Sequence, residues 1–180
     1  MDLDGKGTLW SAFCALFDRN KDKYPARLKS LWHWQKENPD ASIRVYETFA
    51  GYRAILTHKK YASDDESIKT LMKLTKTDKL YQMLCQTQGC YRARLTAKPW
   101  RMSIKQGTTI DPIIWNPLAE NEARDEKELT WLNEYNVLSH CFAACKYLET
   151  WGSEFINKEI NEVVKMHDKK SNAKKDLPLA

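Results

Sequence analysis

The hydrophobic positions along the chain change spacing several times, and each change marks a new predicted element. Apolar residues at a spacing of three and four follow Thr8 and return from Leu28 to Gln35, which is typical of amphipathic helices. The second of these helices should end before Asn38 and Pro39, because a residue that precedes proline disfavours helical backbone.

The alternation that is typical of β-strands appears next. In the run SIRVYE, Ile43 and Val45 alternate with their neighbours, and YRAILT alternates again after the turn TFAG, which ends at Gly51. Two alternating runs around a short glycine-containing turn predict a β-hairpin. A third run, CYRARLT, predicts a strand with Arg92 and Arg94 on the same face.

Helical spacing dominates the rest of the chain. The sequence SDDE at residues 63–66 matches a capping box ahead of one helix, and another helix should begin at Asp78 and end at Gly89. A long helix is predicted over about residues 126–150, and a last helix should run from Asn157 to about His167.

These elements predict one α+β domain with a helical appendage. Helix, strand, strand, helix, strand is the order of ferredoxin-like and RNA-recognition-like domains without their first strand, which residues 1–4 would supply. We therefore expect an antiparallel sheet with helices on one face, plus a C-terminal helical pair. The predicted parts are a sheet domain (1–106), a linker (107–124), a helical pair packed on that domain (125–168) and a basic flexible tail (169–180).

Composition narrows the class of protein without fixing its function. Hydrophobic residues make up 42% of the chain and charged residues 29%, as in a soluble globular domain. No apolar run approaches the roughly 20 residues that a membrane span needs, and no secretory signal pattern is visible. We therefore expect a cytoplasmic protein with no membrane partner. The net charge of +5 permits an anionic partner.

Asp2 and Asp4, in the motif DLDG, suggest several chemistries. A calcium loop is disfavoured because Lys6 and Phe13 stand at two ligand positions, and the phosphatase motif DxDGT needs an apolar strand before it. Two carboxylates one residue apart on a strand can bind Mg²⁺ for nucleotidyl transfer. Alternatively, they place favourable negative charge ahead of the first helix. Magnesium is the one cofactor expected if the chain is catalytic.

The main candidate binding surface interleaves basic residues with aromatic residues. Arginines on a sheet face can neutralise phosphates while nearby rings stack on bases, as single-stranded nucleic acid or a nucleotide requires. The alternative is that the arginines pair with carboxylates and the rings complete the core. The residues predicted for this surface are Arg53, Tyr91, Arg92, Arg94, Lys98, Trp100 and Arg101.

The cysteines offer two weaker hypotheses. Their spacings do not match the usual zinc knuckles, so helix-packing thiols are the simpler interpretation of them. A cysteine nucleophile would need His58 or His167 beside a thiol. The residues that would have to meet at a zinc ion are Cys85, Cys90, His140, Cys141 and Cys145.

Four segments, DLDG, VYETFAGYRAILTH, CYRARLTAKPWR and KMHDKKSNAKKDLPLA, resemble an uncharacterised family of bacterial proteins without an assigned activity. More weakly, DLDG and TFAGYRAILTH are similar to motifs of the archaeo-eukaryotic primase-polymerase superfamily. Arg53 stands where that superfamily has a nucleotide-binding histidine, and His58 lies five residues later. This second resemblance implies a degenerate nucleotidyl-transferase core.

Together these features predict a nucleic-acid or nucleotide-binding domain that uses a basic and aromatic sheet face. Whether it is also an enzyme stays open at the level of sequence. The rival hypothesis is a non-enzymatic interaction module, in which the tryptophans and the long helix bury a protein partner or a second copy of the chain.

Overall fold

The computed structural model of the chain describes residues 2–4, 24–102 and 126–180. The predicted first helix and the predicted linker lie outside these residues. The described strands are β1 (Asp2–Asp4), β2 (Ser42–Glu47), β3 (Gly51–Leu56) and β4 (Lys146–Gly152). The described α-helices are α1 (Ala26–Glu37), α2 (Glu66–Leu74), α3 (Lys79–Gln88), α4 (Glu126–Ser139) and α5 (Lys158–Lys170), and Pro99–Arg101 forms a 3₁₀ turn.

The four strands form an antiparallel sheet in the order β1-β3-β2-β4. The predicted hairpin is confirmed, since β2 pairs with β3 and Tyr46 lies opposite Arg53. The α+β class is confirmed as well. In the described part of the chain, β4 joins the sheet at the edge opposite β1, whereas a ferredoxin-like sheet pairs its first and last strands. The finer prediction of a ferredoxin-like fold is therefore not confirmed.

Helices cover both faces of this sheet. One face carries the main core, where side chains of β2, β3 and β4 meet those of α1 and α2. On the other face the ring of Tyr46 lies 4.8 Å from the ring of His167 in α5. The prediction of helices on one face is therefore wrong, and the face expected to stay open is closed. The residues of the main core are Leu28, Leu31, Ile43, Val45, Ala54, Leu71 and Trp151.

Most predicted helix ends are confirmed by their caps. Asp78 accepts a hydrogen bond from the backbone N–H of Tyr81, and Gly89 ends the same helix in the left-handed conformation. Asn157 caps α5. In the predicted capping box the capping residue is Asp65, whose carboxylate accepts from the backbone of Ser67.

Two predicted elements are wrong. Residues 91–96 form no strand, and Tyr91 and Arg92 are exposed in irregular structure. The predicted helix over 126–150 ends at Ser139, and residues 146–152 form β4 instead. The apolar residues of 146–152 fit the spacing of a helix as well as the alternation of a strand. The edge of β2 supplies backbone hydrogen-bond partners, and these favour the strand.

The residues after α5 pack against the domain, in contrast to the flexible tail predicted there. Ala173 is buried, and Leu179 forms a bridge with Ala143. The backbone of Ala144 also donates to the carbonyl of Ser171 at 3.0 Å. None of the helices in the described ranges has the length and apolar character needed to cross a membrane.

Candidate functional site

A buried polar network joins the second face of the sheet to the end of α5. Arg44 and Tyr46 alternate with the core residues of β2, and Arg53 lies directly opposite Tyr46 on β3, so all three occupy this face. The C-terminal half of α5 supplies His167 and Asp168. Charged and polar side chains therefore fill the space between this face and α5. The alternation of polar and apolar residues along β2 would by itself predict that the same side chains face solvent.

Asp168 is the centre of this network. Its Oδ1 accepts a 2.7 Å hydrogen bond from the hydroxyl of Tyr46, and its Oδ2 accepts one of 2.7 Å from Nη2 of Arg44. The ammonium of Lys174 lies 3.6 Å from Oδ2. Burial alone would raise the pKa of Asp168, but the hydrogen bonds from Tyr46 and His167 and the charge of Arg44 hold it below its ordinary value. The carboxylate therefore stays ionised.

The hydrogen bonds of His167 fix its tautomer. Nη1 of Arg53 lies 3.1 Å from Nε2 of the imidazole, and arginine can only donate. Nε2 must therefore be the acceptor, so the proton sits on Nδ1 and is donated to Oδ1 of Asp168, 3.2 Å away. Burial lowers the pKa of His167, the bond to Asp168 opposes this shift, and the charge of Arg53 adds to it. The imidazole is therefore neutral at physiological pH.

Cys145 lies beside His167, as the nucleophile hypothesis required. Its sulfur is 3.8 Å from Nε2, and the thiol donates to the hydroxyl of Ser171 at 3.5 Å. However, Nε2 already accepts from Arg53, and Cys145 is 0% exposed. A base that is engaged by a cation cannot readily take the thiol proton, and no substrate could reach the sulfur. This cluster is structural.

A groove of about 980 Å³ lies above the network, bordered by residues 95–97, the end of α4, α5 and the residues after it. Asp168 is the one acidic residue among its described lining residues, and Arg44 already pairs with it at the floor. The cations that line the groove are Arg44, Lys165, Lys169, Lys170, Lys174 and Lys175. Such an excess of positive charge in a concave site attracts anions.

The structure separates the residues predicted for the binding surface. Arg53 is 3% exposed and donates to the backbone carbonyl of Arg94, so it belongs to the buried network. Arg92 is exposed in irregular structure. The hydroxyl of Tyr91 donates to the carbonyl of Ala62, and burial raises the pKa of Tyr91 to about 12.

Lys98, Trp100 and Arg101 follow closely in the chain after residues 95–97, which line the groove. The ammonium of Lys98 is 5.5 Å from the centre of the Trp100 ring, which is 55% exposed. The guanidinium of Arg101 lies 4.5 Å from the ring of Phe49 at the hairpin turn. We call these four residues, Phe49, Lys98, Trp100 and Arg101, the aromatic rim.

The predicted metal sites gain no geometric support from the described residues. Asp2 lies opposite Arg53 in the sheet and Asp4 opposite Gly51, while their side chains lie outside the description. No group of three or more His, Cys, Asp or Glu in the described ranges could hold a metal ion. The magnesium site at Asp2 and Asp4 stays a prediction.

The groove residues could have been found from one sequence signal. Asn161, Val164, Lys165 and Asp168 recur at helical spacing, so they share one face of α5, and all four line the groove. The lysines that follow fall in the predicted flexible tail. No sequence pattern indicated that the chain after α5 folds back and completes the wall.

Comparisons of the chain with protein-family models, with curated proteins and with solved structures each gave no match. The two resemblances drawn from the sequence therefore stay predictions.

Proposed function

We propose that the protein binds single-stranded nucleic acid, or a nucleotide, with the phosphates in the basic groove. The observation that carries this proposal is the lining of the groove, where six cations face a single carboxylate that is already paired. Four of the lysines lie at the end of α5 or just after it, and Lys174 is two-thirds exposed. All four are exposed, so their side chains can reach a phosphate backbone without leaving the interior of the protein.

The aromatic rim favours a single strand over a duplex. Trp100 presents more than half of its surface to solvent, and Phe49 almost as much. An exposed ring can stack on an unpaired base, which contributes about 1–3 kcal/mol per base, whereas the bases of a duplex are already stacked on each other. Lys98 and Arg101 beside these rings add charge for the adjoining phosphates.

Fluorescence anisotropy tests the proposal directly. A labelled 20-nucleotide oligo-dT or oligo-U should bind at low salt, and log K should fall with log[salt] by about 0.7 per phosphate contact. Removing two groove charges with Lys169→Gln plus Lys170→Gln should reduce the magnitude of that slope by about 1.4. The matched control, Lys73→Gln plus Lys79→Gln, removes two exposed charges on α2 and α3 and should leave the slope unchanged.

Two further measurements complete this test. Arg92→Ala plus Arg94→Ala measures what these two exposed arginines of the predicted binding surface add to affinity. Addition of Mg²⁺ and labelled nucleoside triphosphates, with Asp2→Asn plus Asp4→Asn as the control, tests the nucleotidyl-transferase version. If neither DNA, RNA nor a labelled nucleotide binds even at the lowest salt, the proposal is wrong.

A second candidate function is association with a protein, and exposed apolar side chains favour it. Leu80 and Met83 lie three residues apart on α3, and Val163 and Met166 lie three apart on α5. Each of these four side chains is about half exposed or more. Sedimentation of the purified chain across a concentration series would show whether one of these faces joins two copies.

A further inference from the structure

Arg44 is the one cation of the groove that the surrounding structure holds rigidly. Its Nε donates to the hydroxyl of Tyr46 at 2.9 Å, and its Nη2 donates to Oδ2 of Asp168 at 2.7 Å. The ring of Tyr147 lies 4.3 Å from the guanidinium carbon. Two hydrogen bonds and a stacked ring therefore fix both the position and the plane of this group.

One edge of the Arg44 guanidinium stays available. Its two bonds use the Nε and Nη2 sides, and none of the described residues accepts a hydrogen bond from Nη1. The side chain is 12% exposed and lines the groove. A fixed donor pair at the floor of a basic groove is suited to the oxygens of a phosphoryl group.

Asp168 and its partners keep that edge in place. The second carboxylate oxygen accepts from Tyr46 and His167, and His167 is itself held by Arg53. Because Asp168 is anchored from β2, β3 and α5, the guanidinium that it orients cannot swing toward solvent as a surface arginine would. The charge of the carboxylate is balanced by Arg44 and by Lys174, 3.6 Å away.

We propose that the basic groove recognises the end of a strand, by taking a terminal phosphate monoester onto the free edge of Arg44. This inference rests on the proposed function and names the part of the ligand that the floor of the groove selects. A phosphate within a strand carries a nucleotide on each side, so placing it on a recessed guanidinium would bring both neighbours into the groove. A terminal phosphate has one substituent and three free oxygens.

The charges also favour a terminal phosphate. A phosphate monoester carries about −1.5 to −2 charges near pH 7, whereas an internal phosphodiester carries a single one. The ammonium of Lys174 lies 3.6 Å from Oδ2 of Asp168, the oxygen that also accepts from Arg44. A second cation therefore stands within reach of the same ligand. Free phosphate and a nucleoside monophosphate share this chemistry, and the arms of the test separate them from a strand end.

The test compares one internally labelled oligo-dT in three forms, with a 5′-phosphate, with a 3′-phosphate and with hydroxyls at both ends. The wild-type protein should bind at least one phosphorylated form about tenfold more tightly than the hydroxyl form, as expected for a charge-assisted bidentate contact. In Arg44→Lys, which keeps the charge and loses the planar fork, this preference should disappear. The control Lys165→Gln should weaken all three forms by the same factor.

Phosphorus NMR on the unaltered protein keeps the test independent of how the variant folds. The resonance of the terminal phosphate should shift more on binding than those of the internal phosphates. Equal affinities for the three forms, with no selective shift, would overturn the inference and leave the proposed function standing. Binding of none of them would instead overturn the proposed function. If inorganic phosphate or thymidine monophosphate competes as well as the phosphorylated strand, the site is a general phosphate site and strand-end recognition is wrong.

Discussion

Arg53 and His167 meet at 3.1 Å in the interior of the protein, through Nη1 of the guanidinium and Nε2 of the imidazole. This contact links the hairpin strand β3 to α5, and it decides which nitrogen of the histidine carries the proton. It also explains why Arg53 cannot serve as the surface ligand that its sequence position suggested. A cation buried to this degree is costly to desolvate, so the fold depends on the partners that satisfy it.

Removal of the imidazole should therefore destabilise the protein strongly. His167→Ala removes one hydrogen bond from Nη1 of Arg53 and one from Oδ1 of Asp168, and it opens a cavity beside Tyr46. We expect the free energy of unfolding to fall by about 3 kcal/mol. Urea denaturation followed by tryptophan fluorescence measures this. His33→Ala, at an exposed position of α1, should change it by less than about 0.5 kcal/mol.

Stability should also fall as the pH decreases from about 7.5. The pKa of His167 in the folded protein is lowered mainly by burial, so the unfolded chain binds more protons in the window below the ordinary value of 6.5. The loss begins near that value, continues down to the folded pKa of His167, and amounts to about 1.4 kcal/mol for each pKa unit of difference.

His58 contributes to this pH dependence in the same direction, because burial lowers its pKa as well. The denaturation midpoints of wild type, His58→Gln and His167→Gln at pH 7.5 and 5.5 separate the two contributions. The carboxylate of Asp168 acts in a lower window, where stability is lost as the pH falls from its ordinary 3.8 through its folded value. A pH dependence that His167→Gln leaves unchanged would contradict the lowered pKa of His167.

Thiol reactivity checks the structural role of Cys145. Among the cysteines of the described ranges, Cys90 and Cys141 are exposed, whereas Cys85 and Cys145 are buried. Brief alkylation of the native protein followed by mass spectrometry should label Cys90 and Cys141 and leave Cys85 and Cys145 unmodified until urea is added. Rapid labelling of Cys145 in the native state would instead point to an accessible, activated thiol.

The hairpin and four helices could be predicted because their signals are local. Alternation around Gly51, the carboxylate of Asp78 and the amide of Asn157 each specify an element within a few residues. The strand β4 could not be predicted in this way. Its residues also fit a helical spacing, and the preference is decided by pairing with β2, about a hundred residues earlier in the chain.

The candidate site was predictable in its chemistry more than in its residues. Basic charge with nearby aromatic rings was visible from the sequence, and Lys98 and Trp100 do lie together. The burial of Arg53 was not visible, because it depends on α5 covering the second face of the sheet and on His167 arriving beside it. The groove lysines were missed because the chain after α5 folds back onto the domain.

Gly152, at the end of β4, makes the junction between the sheet and α1 sensitive to a single methyl group. Its φ is +85°, and a Cβ there would overlap the carbonyl oxygen of Ala41 and lie 2.5 Å from Nε2 of Gln35. Because the obstacle is mostly backbone, we expect Gly152→Ala to lower the free energy of unfolding by about 3 kcal/mol.

Gly89→Ala is the matched control, since its φ is also positive at +63° while its surroundings are open. Strain alone should cost that variant about 1 kcal/mol. If both variants lose the same free energy of unfolding in urea denaturation, the overlap with the Ala41 carbonyl adds nothing to the cost of the methyl group, and the prediction is wrong.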